Sequence, residues 1–151
     1  MRAFALFLLL AGCGVDEARE QANEGANAQA NVVATETVPP SEAQLELSRS
    51  AAAALGRYYG HIGRGEYRAA FAMRAPAPGL TPQAFAAGFE RYGDYRATVG
   101  VPSLPVEENG TIWVSVPVQL YGRMRDGAPM GSVGRVMMKR PPGSTEWEVA
   151  P

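Results

Sequence analysis

Cysteine and histidine each occur once in the 151 residues, as Cys13 and His61. That scarcity excludes an internal disulfide framework, a cysteine pair for metal or redox work, and a histidine metal cluster. No apolar run reaches the roughly 20 residues a helix needs to cross a bilayer. The run Ala3–Ala11 is short and is soon followed by Asp16 and Glu17. Between Val15 and Pro40 there is no aromatic residue at all. From Ser41 onward only two aspartates occur, Asp94 and Asp126. The glycines of 122–134 follow hairpin spacing, and no Lys-Ser/Thr closes them into a phosphate loop. Ser41, Ser48, Ser103, Ser115 and Ser132 all lack the strand–turn–helix context of a hydrolase nucleophile. Nothing in this pattern implies a cofactor.

The residues that are present divide the chain in three. Met1 and Arg2 lead into the apolar run, the layout of a secretory signal peptide. The run closes on Leu10-Ala11-Gly12-Cys13, which resembles the lipobox of bacterial lipoproteins. There, Leu10, Ala11 and Gly12 are what the signal peptidase reads, and the Cys13 thiol accepts diacylglycerol. Acylation of the freed amine would bring the anchor to three chains, whereas one chain alone anchors only marginally. Gly14 stands where an inner-membrane retention aspartate would be. The resemblance therefore implies the inner leaflet of the outer membrane, facing the periplasm. Residues 13–40 then read as a disordered tether. It carries five acidic residues against Arg19 and too little apolar surface to offset its ordering entropy. As a flexible coil it spans roughly 30 Å.

Residues 41–151 are a different material, with all six tyrosines, both tryptophans and three of the five phenylalanines. Their 12 basic residues, nearly all arginine and spread along the chain, stand against 10 acidic ones. That balance gives no footprint for nucleic acid. Ser41 with Gln44 fits a capping box, and Leu45, Ser48, Ala52, Leu55 and Tyr59 follow helical spacing to about Gly60–Gly63. A second short helix is predicted over Glu66–Met73. Thr81-Pro82 starts a third, with Phe85, Ala86, Phe89 and Tyr92 as its stripe and Gly93 as its end. Beyond Asp94 the period becomes two. Strands are predicted over Arg96–Val101, from Thr111, over Val133–Arg140 and over Glu146–Ala150, with turns at Asn109-Gly110 and Asp126-Gly127. Ile112, Val114, Val116, Val118 and Leu120 share one face of the second strand, and Trp113 and Tyr121 lie on the other. Pro117 within it marks an edge or a bulge. Helices followed by a bent antiparallel meander make an α+β order, with N-terminal helices on a curved sheet of about four strands.

The stretch from Tyr58-Tyr59-Gly60-His61 through Gly65-Glu66-Tyr67 to Phe71 resembles the opening of nuclear transport factor 2-like (cystatin-like) domains. Thr81-Pro82-Gln83-Ala84-Phe85 and the valine-rich strand fit the same pattern. The match is similar to uncharacterised lipoproteins of alphaproteobacteria. It implies a cone with an apolar cavity, a fold that some relatives use for catalysis. Tyr58, Tyr59, His61, Phe85, Phe89 and Asp94 are the candidate pocket residues. Each also has a plainer role: His61 completes a helix C-terminus, Asp94 is a solvated or capping residue, and a tyrosine of the pair is core. Trp113 and Tyr121 either form a contact for a homodimer or envelope partner, shield an open sheet face, or line the cavity. The reading favoured is a lipid-anchored, non-catalytic binding domain for a small apolar ligand or partner protein. The alternatives are an isomerase- or dehydratase-like enzyme using Asp94, His61 and Tyr58 or Tyr59, and a scaffold of envelope or secretion machinery.

The anchor is checked by the intact mass of the protein from a membrane fraction. A chain starting at Cys13 with added acyl mass, lost in Cys13→Ala, is expected; an unmodified product cut elsewhere would contradict the lipobox reading.

Overall fold

The first helix starts at the capping box. In the computed structural model, which describes residues 38–151, the Ser41 hydroxyl accepts from the Gln44 amide (3.2 Å) and the Gln44 side chain accepts from the Ser41 amide (2.9 Å). Two otherwise orphaned donors are thereby satisfied, and α1 runs Glu42–Gly63. Leu10, Ala11, Gly12 and Cys13, and the tether up to Thr37, lie outside the described residues. The buried face of α1 is Ser48, Ala51, Ala54, Leu55, Tyr58 and Ile62. It is turned slightly from the expected stripe, so that Ala52 and Tyr59 form its half-buried flank.

Helix α2 (Tyr67–Ala72) lies where the spacing predicts it. Helix α3 (Pro82–Ala87) begins as expected, with the Thr81 hydroxyl accepting from the Ala84 amide at 3.1 Å. It does not continue to Gly93. Gly88 caps it, and the chain then tightens into short turns, with Phe89 N–H donating to Ala86 and Tyr92 N–H to Phe89 (both 3.0 Å). Tyr92, assigned to the helix by its spacing from Phe85 and Phe89, instead opens β1 (Tyr92–Val99). Strand pairing to Met124 outweighs the helical period there.

The remaining strands are β2 (Val106–Glu108), β3 (Thr111–Met124), β4 (Pro129–Arg140) and β5 (Glu148–Val149). The sheet is antiparallel in the order β1-β3-β4-β5, and β2 pairs with β3. Because β4 occupies one side of β3 along nearly its whole length, β1 and β2 share the other side end to end. Asn109 (φ 51°) and Gly110 (φ 75°) both take the left-handed conformation that a tight β2–β3 turn requires. Val114 and Val116 are fully buried, as are Leu55 of α1 and Met138 of β4. The alternation in β3 thus puts its valines under the helices.

Pro117 sits in the middle of this central strand, yet its missing donor is harmless. Its carbonyl accepts from Gly100 (2.8 Å), so its nitrogen faces the break between β1 and β2. Ser103 bridges that break. Its amide donates to Ser115 O (2.8 Å), its hydroxyl accepts from the Ser115 amide (3.0 Å), and its carbonyl accepts from the buried Ser48 hydroxyl (2.8 Å).

The irregularity that shapes the candidate site is at the start of β1. Tyr92 pairs with Met124 and Asp94 with Arg123, leaving Gly93 as an extra residue. One inserted residue reverses the in–out alternation, so Tyr92 and Tyr95 point to the same side. Their ring centroids are 5.2 Å apart. Opposite Tyr95, Gly122 presents no side chain. A Cβ there would stand 2.1 Å from the Asp94 carbonyl oxygen, an impossible distance without moving backbone. Gly122→Ala is therefore expected to cost about 2–3 kcal/mol in urea unfolding, as overpacking does. Gly134→Ala, whose Cβ meets nothing within 4 Å, should stay within about 0.5 kcal/mol of wild type. Equal stability of the two variants would show that the bulge is not a fixed feature.

Candidate functional site

The aromatic residues of the helices and of β1 form a continuous cluster. Phe85 of α3 meets Phe89 edge-on at 5.1 Å, and Phe89 meets Tyr95 edge-on at 5.3 Å. Tyr67 stacks on Phe89 at 5.3 Å, Phe71 contacts Phe85 at 5.7 Å, and Tyr58 lies 6.4 Å from Phe85. Such edge-to-face pairs add roughly 0.5–1.5 kcal/mol beyond area burial. This cluster does not close completely. Between α1, α3 and β1 it leaves an open cleft of about 390 Å³, lined by Tyr58, Arg74, Phe85, Phe89, Tyr92 and Tyr95 among others. That volume falls within the range of small-molecule sites.

Burial holds three phenols at or beside this cleft neutral, those of Tyr58, Tyr59 and Tyr95. Burial pushes the Tyr95 hydroxyl up to about 12, with Tyr92 and Tyr58 adding to the shift. Burial likewise raises Tyr58, although the hydrogen bond from Arg74 opposes it, and burial raises Tyr59. At neutral pH these groups are hydrogen-bond donors and not phenolate bases.

Arg74 follows α2 and is fixed by its backbone. It bridges to Val149, while Val149 N–H donates to Met73 and Ala75 N–H donates to Val149 (both 2.9 Å). Its Nη1 donates to the Tyr58 hydroxyl at 3.2 Å, and its guanidinium carbon lies 5.7 Å from the centre of the Phe85 ring. Arg74 also lines a second cleft of about 310 Å³ with Tyr58, Tyr59 and Val136.

Of the candidate pocket residues, Tyr58, Phe85 and Phe89 line the main cleft, and Tyr59 stacks on Tyr95 (6.4 Å) beside it. His61 and Asp94 do not line it. His61 Nδ1 is 2.6 Å from Glu66 Oε2, in a surface group with Arg64, whose Nη2 donates to the same oxygen at 2.9 Å. The Arg64 guanidinium, with His61 second, holds the Glu66 carboxyl down at about 2. Asp94 accepts from Arg96 Nε at 3.2 Å on the strand's outer side. Aspartate, histidine and tyrosine are thus not assembled in one cleft. Trp113 and Tyr121 lie on the outer face of the sheet. Trp113 is half-buried in a groove of about 440 Å³ with Val106 and Met137, and Tyr121 is 41% exposed. Among the described residues no group of three His, Cys, Asp or Glu side chains is placed to hold a metal ion.

Sequence reasoning missed Arg74, Tyr92 and Tyr95. The tyrosines were recoverable in principle from Gly93, since a glycine inside a strand pattern signals a bulge. Arg74 gives no such signal, because its position depends on a long-range bridge to the last strand.

No protein-family model and no curated protein matches the chain. Solved structures do. Aln2 from a Streptomyces species is similar over 75% of this chain and 90% of its own, at 16% identity and TM-score 0.53. The Kfla4162 protein from Kribbella flavida is similar over 70% and 88%, at 13% identity and TM-score 0.54. A nuclear transport factor 2-like superfamily protein from Salmonella enterica serovar Typhimurium is similar over 69% and 86%, at 11% identity and TM-score 0.53. At such identities the likeness is one of architecture. The described domain has the cone-like α+β fold of nuclear transport factor 2-like proteins.

Proposed function

We propose that the domain is a non-catalytic binding domain that takes a small apolar molecule in the aromatic cleft between α1, α3 and β1. The observation that carries this reading is the wall of Tyr58, Phe85, Phe89, Tyr92 and Tyr95 around a cleft of about 390 Å³. A ligand covering these rings gains from the removal of apolar surface from water, about 25 cal/mol per Å². Neutral phenols at the rim fix its orientation by hydrogen bonds. An isomerase- or dehydratase-like reaction would need a base and an acid converging on one substrate, and His61 and Asp94 are engaged elsewhere. With lipid on Cys13, the site would be held near an envelope membrane, within tether reach of apolar molecules partitioning there.

The test uses 2-naphthol, an uncharged bicyclic aromatic, and the purified full chain. Ala84 lines the cleft on the exposed side of α3, so Ala84→Trp should fill the cleft without disturbing the core. At probe well above its Kd, wild type should gain on the order of 5 °C in Tm, and Ala84→Trp should gain little. No shift in wild type, or an equal shift in the variant, would contradict the reading.

A further inference from the structure

The arginines that form an ion pair in the described domain do so at its surface, and the Lys139 pair is half-buried. Arg49 lies against Glu42 and Glu46, Arg64 against Glu66, Arg96 against Asp94, and Lys139 against Glu148. Arg74 is different. Among the described residues no carboxylate lies within the 4 Å of an ion pair, and its Nε is fully buried with no hydrogen-bond acceptor. What it touches is one neutral phenol and one aromatic face. Arg74 is half-buried; its guanidinium stays charged, and the part of it that is out of water has no counter-charge beside it. Tyr58 offers a single lone-pair contact, and the Phe85 ring only a weak cation–π attraction. The fold nevertheless anchors its backbone to Val149, holds its guanidinium against Tyr58 and Phe85, and places the residue in the linings of both clefts.

Neither Asp94 nor any other carboxylate lines the main cleft, so Arg74 is its single charge. A planar fork of donors at one end of an aromatic wall is complementary to a planar anion on an apolar body. We infer that the occupant of the cleft is an apolar carboxylic acid, its carboxylate paired with Arg74 and its hydrocarbon or aromatic part lying against Phe85, Phe89, Tyr92 and Tyr95. This rests on the cleft being the binding site and adds the chemistry of the ligand's head group. The Tyr58 hydroxyl, donated to by Arg74, is left with its own proton to give to the second carboxylate oxygen. The anion would supply the negative charge that the protein does not place beside Arg74, and the rigid setting of the guanidinium keeps the ordering cost of pairing low.

The test compares 4-phenylbutyrate with 4-phenylbutanamide, the uncharged amide of the same shape, by calorimetry on the full chain. Charge-assisted hydrogen bonds are worth about 1.5–3 kcal/mol, so the acid should bind about tenfold or more tighter than the amide. Arg74→Gln should remove that preference, weakening the acid about tenfold while leaving the amide within about threefold. Arg74→Lys, which keeps the charge and loses the fork, should fall between them. The acid–amide comparison in wild type requires no variant, so it decides the matter even if Arg74→Gln fails to fold. If the amide binds as tightly as the acid, the carboxylate inference is overturned and the apolar site stands. If acid, amide and 2-naphthol all fail to bind, the apolar site itself is overturned.

Discussion

The structure depends on one packing constraint: a narrow sheet must bury one face beneath essentially a single long helix. At the alanine-rich part of α1, Ala51 and Ala54 are buried by close approach, and Val114 and Val116 of β3 lose all contact with water. Further along, the helix presents Tyr58 and Tyr59 in place of alanines. The cleft opens at the tyrosine end. The side chains of one helix thus change from small to aromatic along its length, and Phe85, Phe89, Tyr92 and Tyr95 gather at the aromatic end.

Much of this architecture was legible because it rests on local rules. Ser41 and Gln44 form the box their spacing predicts, Thr81-Pro82 starts a helix, Asn109-Gly110 turns a hairpin, and the alternating valines of β3 face the helices. The shortfall is where tertiary pairing overrides local periodicity. The spacing of Phe85, Phe89 and Tyr92 is helical, yet Gly88 ends α3 and Tyr92 joins a strand. The bulge at Gly93 then turns Tyr92 and Tyr95 to one side. Pro117 reads in sequence as an edge or bulge signal. It lies within the central strand, facing the one place where that strand lacks a continuous neighbour.

The candidate site divides along the same line. Tyr58 and Phe85 are identifiable as amphipathic or apolar residues of helices, and Phe89 follows the same spacing although the structure places it in the turn after α3. His61 and Asp94 stand out by scarcity and chemistry, and scarcity says nothing about position. Both are held by ordinary neighbours, Glu66 and Arg96. Arg74 is inconspicuous in a chain rich in arginine, although it combines a buried Nε that has no acceptor with a place in the lining of the main cleft. Its role emerges only from burial and from an inventory of partners across the domain.

The most direct measurement is a methyl chemical-shift map of the isotopically labelled protein during titration with 2-naphthol. The Leu80 and Ala84 methyls lie in the cleft, and those of Val133 and Met137 are exposed elsewhere on the sheet. Saturable shifts concentrated at Leu80 and Ala84 are expected if the aromatic cleft is the binding site. Shifts confined to Val133 and Met137, or none at any of the four, would contradict a ligand site in the cone.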